Sequence, residues 1–216
     1  MDNFAGVSAL MAAYFSAQLS STRVHCKVTY GEEKAINGVF YAGALEVAKE
    51  LKADDFVAVI DVTGVSARAV NSENVRNSPK VKGHVCIEKV RRNPVTRTLL
   101  RYVSGCMIAE DGQPVPGLSQ QVIDRAPYTY ETYTFCDDQQ ADADESDAYR
   151  RTVSGVNAVF LGLPTCGGDY GRYQSGGDYN IEPVFCWQRD IEAMTLLIID
   201  LSAAFVEHYD EIITGR

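Results

Sequence analysis

Long apolar runs, nucleotide-binding glycine motifs, paired cysteines and excess positive charge are what this chain has least of. No apolar run approaches the roughly 20 residues that cross a bilayer, and Asp200 breaks the longest candidate, so a soluble protein is expected. Nothing basic precedes the first apolar stretch after Met1-Asp2-Asn3, so export by a cleaved signal is not expected either. Lys and Arg number 20 against 29 Asp and Glu, a net charge of −9. That excludes a surface that grips nucleic acid all over, because phosphate binding needs clustered Lys and Arg. No G-x-G-x-x-G follows a strand and no G-x-x-x-x-G-K-[ST] occurs, so nucleotide binding has no support. Gly64-Val65-Ser66-Ala67-Arg68 lacks the closing glycine of a serine-hydrolase elbow.

Six cysteines are present, Cys26, Cys86, Cys106, Cys136, Cys166 and Cys186, and none form C-x-x-C. The plain reading is buried thiols, since unpaired Cys is among the most buried residue types. The sharper one is disulfide pairing after release from a reducing cytosol. The remaining composition, 46% hydrophobic and 23% charged over 216 residues, is that of a globular chain forming one domain with large excursions.

The stretch 189–216 organises the rest. Ile191, Met194, Leu197, Ile198, Leu201, Ala204, Phe205 and Ile212 follow a helical period. Leu196, Ile199, Ala203 and Val206 interrupt the polar side. Either a sheet and a second element sandwich this helix, or another subunit covers the remainder. Near the N-terminus, Val7, Leu10, Met11, Tyr14 and Leu19 mark the apolar face of a first helix. The alternation over 23–30 predicts a half-buried strand. A short helix over 44–51 then leads into 55–62, a β-branched run with the pattern of a central strand.

Residues 66–83 lose periodicity and read as a basic loop or arm. The block 68–101 is strongly basic, and strands at 84–90 and 96–103 joined by Arg91-Arg92-Asn93-Pro94 predict a hairpin carrying that charge. Further strands are expected at 128–136, 156–161 and 184–187, an acidic loop at 137–150 and a glycine-rich loop at 164–180. The fold class expected is therefore α+β: one domain, a mixed or antiparallel sheet packed by an N-terminal and a C-terminal helix, with long excursions.

No motif declares a chemistry. Asp61 with Glu88 and Lys89 evokes a PD-(D/E)-x-K nuclease, but adjacent residues on a strand face opposite ways. Cys166 could act as a nucleophile beside Gly167 and Gly168, with His25, His84 or His208 as base, and nothing selects one. His84 and Cys86 face the same way on a strand, yet two ligands do not make a zinc site. The repeated Gly-Gly-Asp-Tyr at 167–170 and 176–179 is too short for a calcium-binding repeat. Thus no catalytic, cofactor or metal residue is expected.

Complementary charge instead favours assembly. The residues expected at contacts with other subunits or partners are Arg68, Arg76, Lys80, Lys82, Arg91 and Arg92 on the basic side, and Asp137, Asp138, Asp142 and Asp144 on the acidic side. Leu196 and Ile199 on the last helix complete the set. The order of elements resembles the tail-terminator, neck and tail-completion proteins of tailed bacteriophages: a helix at 4–19, a strand at 23–30, a β-rich middle with long arms, and a strand at 184–187 running into the terminal helix. That resemblance implies a non-enzymatic virion protein assembled in the host cytoplasm into a ring, commonly a hexamer, that caps the tail or joins it to the head. Its partners would be further copies and neighbouring tail or neck proteins, with DNA passing through the lumen, and no cofactor, membrane or small-molecule substrate. Two other classes stand beside it: a hydrolase or nuclease using Cys166 or a metal, and a monomeric protein-binding adaptor.

Overall fold

The computed structural model describes residues 3–16, 24–30, 35–63, 82–88, 94–109, 115–133, 145–165, 172–173, 179–180 and 186–214. The chain is α+β. Its five-stranded mixed sheet has the order β1 (Phe56–Thr63), β5 (Asn157–Pro164), β2 (His84–Glu88), β4 (Thr129–Tyr133), β3 (Cys106–Met107). β5 is parallel to β1 and antiparallel to β2, while β2, β4 and β3 are mutually parallel. β5 is buried along almost its whole length, as its run Ala158-Val159-Phe160-Leu161 requires of a strand covered on both faces.

One face of the sheet is covered by α1 (Phe4–Ser16), α3 (Pro94–Leu99), α6 (Gln188–Glu207) and α7 (Tyr209–Thr214). α6 buries Met194, Leu197, Ile198, Leu201 and Ala204 against Val85, Ile87, Leu161 and Leu163. Asp200, polar in the middle of this helix, accepts hydrogen bonds from the Tyr128 hydroxyl at 2.6 Å and from Ser104 N at 2.9 Å. Over the other face, α2 (Ala42–Ala48) and α5 (Glu145–Thr152) pack on Val59, Ala158 and Phe160. The helix α4 (Gln120–Arg125) precedes β4, and the pair β6 (Arg172–Tyr173) and β7 (Tyr179–Asn180) is antiparallel.

Several expectations are corrected. Among the described residues, 24–30 join no strand, and Val28 is 68% exposed; they are held instead by Gly43 N donating to Tyr30 O, by Lys27 on Glu50, and by Thr29 on Glu145. β1 lies at the edge of the sheet order rather than in its centre. The hairpin at 84–103 is absent: Pro94 opens a helix, where its missing N–H is no loss, and Val95 and Leu99 bury the i, i+4 face that makes helix the better solution than strand. The end of the acidic loop is helical, with Glu145 and Ser146 buried. The glycine-rich loop was expected from 164, but Pro164 ends β5. Of the strand expected at 184–187, Cys186 and Trp187 are not extended into a ladder and Trp187 caps α6; 184–185 lie outside the described residues.

The start of β2 meets the first turn of α6 at close range. His84 N donates to Asp190 Oδ1 at 2.9 Å, with Asp190 buried. A Cβ on Gly83 would stand 1.9 Å from Arg189 O and 2.8 Å from Ala193 Cβ, so only glycine lets these backbones approach. Replacing Gly83 with Ala forces backbone apart and should lower the unfolding free energy by about 1–3 kcal/mol. Urea unfolding of Gly83→Ala against wild type checks this, and an unchanged midpoint would show the contact to be slack.

Candidate functional site

Two features of this fold could carry function: a buried polar cluster on one sheet face and an apolar outer surface. The cluster follows from register. Asp61 on β1 is level with Gly162 on β5, Gly162 with Cys86 on β2, and Cys86 with Glu131 on β4, so these residues share a face. One step along, His84 is level with Thr129. His84, Cys86 and Glu131 are buried, as are Thr63, Thr129 and Thr165. The ligand atoms of His84, Cys86 and Glu131 lie within 4.8 Å of one another. Cys86 Sγ is 3.4 Å from Glu131 Oε1, and His84 Nε2 is 3.6 Å from the same oxygen.

The cluster's surroundings are ordered. His84 Nδ1 is 3.0 Å from Thr129 Oγ1, which itself lies 3.3 Å from Gly83 O. Thr165 N donates to Thr63 O at 2.9 Å. Beyond the cluster, Arg150 pairs with Glu88 and, at 2.8 Å, with Asp147; Glu88 also accepts from Phe160 N. β1 and β5 finish, at Thr63 and Pro164, at the sheet end where β2 and β4 begin. The cluster lies at that end.

His84 and Cys86 do share a face, as strand alternation predicts. Glu131 was missed: it is the lone acid in Thr129-Tyr130-Glu131-Thr132-Tyr133, and its signal is a carboxylate at an inward strand position. Asp61 faces the same side but accepts from its own neighbour, Val62 N, at 2.6 Å. The other histidines are elsewhere: His25 is exposed, and His208 stacks on Tyr102 with centroids 4.1 Å apart. Burial pushes the thiols of Cys26 and Cys106 up, for Cys106 despite the nearby Lys82, which makes both poor nucleophiles at neutral pH.

The outer surface arises from α1, whose thirteen residues FAGVSALMAAYFS include no charge. The expected inward face of Val7, Leu10, Met11, Tyr14 and Leu19 holds only in part: Leu10 packs against the core and Val7 is half-buried, and Leu19 lies outside the described residues. Ala5, Ala9 and Ala13, four residues apart, form the buried stripe, while Met11 and Tyr14 are exposed along with Phe4 at 78% and Phe15 at 72%. Small residues win the inner side because they let α1 lie close on α6, where Thr195 Oγ1 reaches Ala9 O at 3.4 Å. On the opposite layer, Asn37 and Gly38, both at positive φ, close a tight turn that presents Ile36, Val39 and Phe40 to solvent. Asn-Gly suits that turn because it needs two left-handed residues.

Leu196 is 38% exposed and Ile199 is partly buried against the core. Of the four surplus apolar residues on the terminal helix, Ala203 is exposed like Leu196, and Val206 is half-buried like Ile199. Lys82 donates to the carbonyls of Asp124 and Ala126. Cys26, Cys86, Cys106 and Cys186 are thiols, not disulfides. Arg68, Arg76, Lys80, Arg91, Arg92, Cys136, Asp137, Asp138, Asp142, Asp144 and Cys166 lie outside the described residues. A cavity of about 1770 Å³ opens between β1, residues 24–30 and the C-terminal helices, and none of the cluster's three ligand residues lines it. Among the described residues no helix is long and apolar enough to cross a membrane. No family model, curated protein or solved structure matches the chain.

Two tyrosines give the fold an alkaline limit. Burial, then the Glu145 charge, pushes Tyr149 up to about 12; burial and the bond to Asp200 push Tyr128 higher still. Above the ordinary value of 10 the unfolded chain gives up phenol protons that the folded chain keeps. Their contribution is thus complete below pH 10 and is lost as pH rises toward 12. Urea midpoints measured from pH 9 to 12 should fall, and Tyr149→Phe should make the fall shallower; an identical slope in the variant contradicts the assignment.

Proposed function

We propose that the chain is a structural subunit that assembles with copies of itself into a ring, of the kind that forms the neck or tail end of a bacteriophage particle. The observation that carries this is α1, an uncharged helix that turns its large side chains, Phe4, Met11, Tyr14 and Phe15, outward and its alanines inward. Monomers seldom leave such a patch uncovered. The occupant proposed is a second copy. A head-to-tail contact needs two different patches on one chain, and the turn bearing Ile36, Val39 and Phe40 supplies the second, on the opposite layer of the sandwich.

Magnitude favours an interface larger than the helix alone. Covering a large apolar side chain contributes about 1.5–3 kcal/mol, so four give at most about 6–12 kcal/mol. Association costs about 4–15 kcal/mol before any net affinity appears. The tip residues and the opposite charges of 68–101 and 137–147 add the remainder and fix the register between neighbours.

Native mass measurement should find a closed oligomer for the wild type. Phe15→Glu and Phe40→Glu should each give monomers. Mixed together they should form a dimer and nothing larger, because each retains one intact patch. A monomeric wild type, or two variants that do not combine, overturns the proposal.

A further inference from the structure

We infer that His84, Cys86 and Glu131 form a binding site for a single Zn²⁺ ion. The inference is independent of assembly and stands on three observations. First, the donors converge: one nitrogen, one sulfur and one oxygen donor on adjacent parallel strands lie within 4.8 Å of one another. The two separations at Glu131 Oε1, 3.4 and 3.6 Å, match the edges of a tetrahedron built on zinc bond lengths, roughly 3.3–3.8 Å.

Second, polar atoms are left over. His84 Nε2 and Glu131 Oε2 are buried without a hydrogen-bond partner, although the residues are only 3% and 2% exposed. Buried polar atoms are rarely orphaned in this way, and a carboxylate removed from water needs a positive partner.

Third, the histidine is held in the tautomer a metal requires. The Thr129 hydroxyl has one hydrogen, and it donates that to Gly83 O. Toward His84 Nδ1, 3.0 Å away, it therefore accepts, and the ring's hydrogen is on Nδ1. In the neutral ring Nε2 then carries the lone pair, 3.6 Å from Glu131 Oε1, another acceptor. Two acceptors facing each other repel, and a cation between them removes the conflict. A metal-binding histidine oriented by a bond at its other nitrogen is the usual arrangement.

The donor set selects the ion. Ca²⁺ and Mg²⁺ take oxygen ligands, whereas mixed nitrogen, sulfur and oxygen donors in a tetrahedral array suit Zn²⁺. Three protein donors leave one corner open, where zinc holds water or another exchangeable ligand.

The test uses the full-length protein, stripped with chelator and reloaded with Zn²⁺ or Co²⁺. One Zn²⁺ per chain is expected by elemental analysis. The Co²⁺ form should show intense tetrahedral d–d bands and a thiolate-to-cobalt charge-transfer band, lost in Cys86→Ser. Thr129→Val, which keeps the side chain's shape but frees His84, should weaken Zn²⁺ binding about 10–100-fold, while Glu131→Gln should weaken it further. Should the ligand variants fail to fold, the wild-type Co²⁺ spectrum still decides. A folded wild type that holds no stoichiometric Zn²⁺, or a Co²⁺ spectrum without the sulfur band, overturns the inference.

Discussion

The buried Asp190 carboxylate, held in the first turn of α6, captures the amide of His84 and thereby fixes where the second strand of the sheet begins. Much else depends on that bond and on the absent side chain at Gly83 beside it. Once β2 is pinned against the terminal helix, β5 pairs on one side of it and β4 on the other. Those pairings set Cys86 level with Glu131 and His84 level with Thr129. The same helix, lying on the sheet, offers α1 a surface that small residues fit best. That choice leaves phenylalanine and methionine facing water.

The two features read as functional thus have one origin in the packing of α6. A slip of β2 against β4 would separate the donors of the polar cluster, and a shift of α6 would remove the surface on which the α1 alanines pack. The fold also divides its sheet face by chemistry. Near α2 and α5 it is apolar, with Val59, Ala158 and Phe160 covered by Ala44, Ala48 and Ala148. Toward the end where β1 and β5 finish and β2 and β4 begin, it carries Thr63, His84, Cys86 and Glu131, all buried. Burying that much polarity is costly unless each group finds a partner, which is why the leftover atoms of His84 and Glu131 weigh heavily.

What could be read in the sequence was whatever repeats with a strong local period. The inward residues of α6 are those its 3.6-residue spacing indicates, and the runs that became β1, β4 and β5 stand out as β-branched or aromatic stretches. Where a local pattern needed a distant partner, it misled. The alternation at 24–30 meets no pairing strand among the described residues, and 96–103 became helix and turn because Val95 and Leu99 found a core to fill. On α1, spacing identified an apolar helix but not its orientation, since alanine gains by close approach to α6 more than methionine or tyrosine gains by burial there. The third member of the polar cluster was hidden for a related reason: Glu131 meets Cys86 only through the register of strands more than forty residues apart.

Amide hydrogen exchange at His84 probes the anchoring of β2 to α6 most directly. The account predicts that this amide is among the slowest in the protein, exchanging only when the whole fold opens, and that Asp190→Ala speeds it far more than it speeds the amides of β1. Rapid exchange at His84 in the wild type, with the core of α6 still protected, would contradict it.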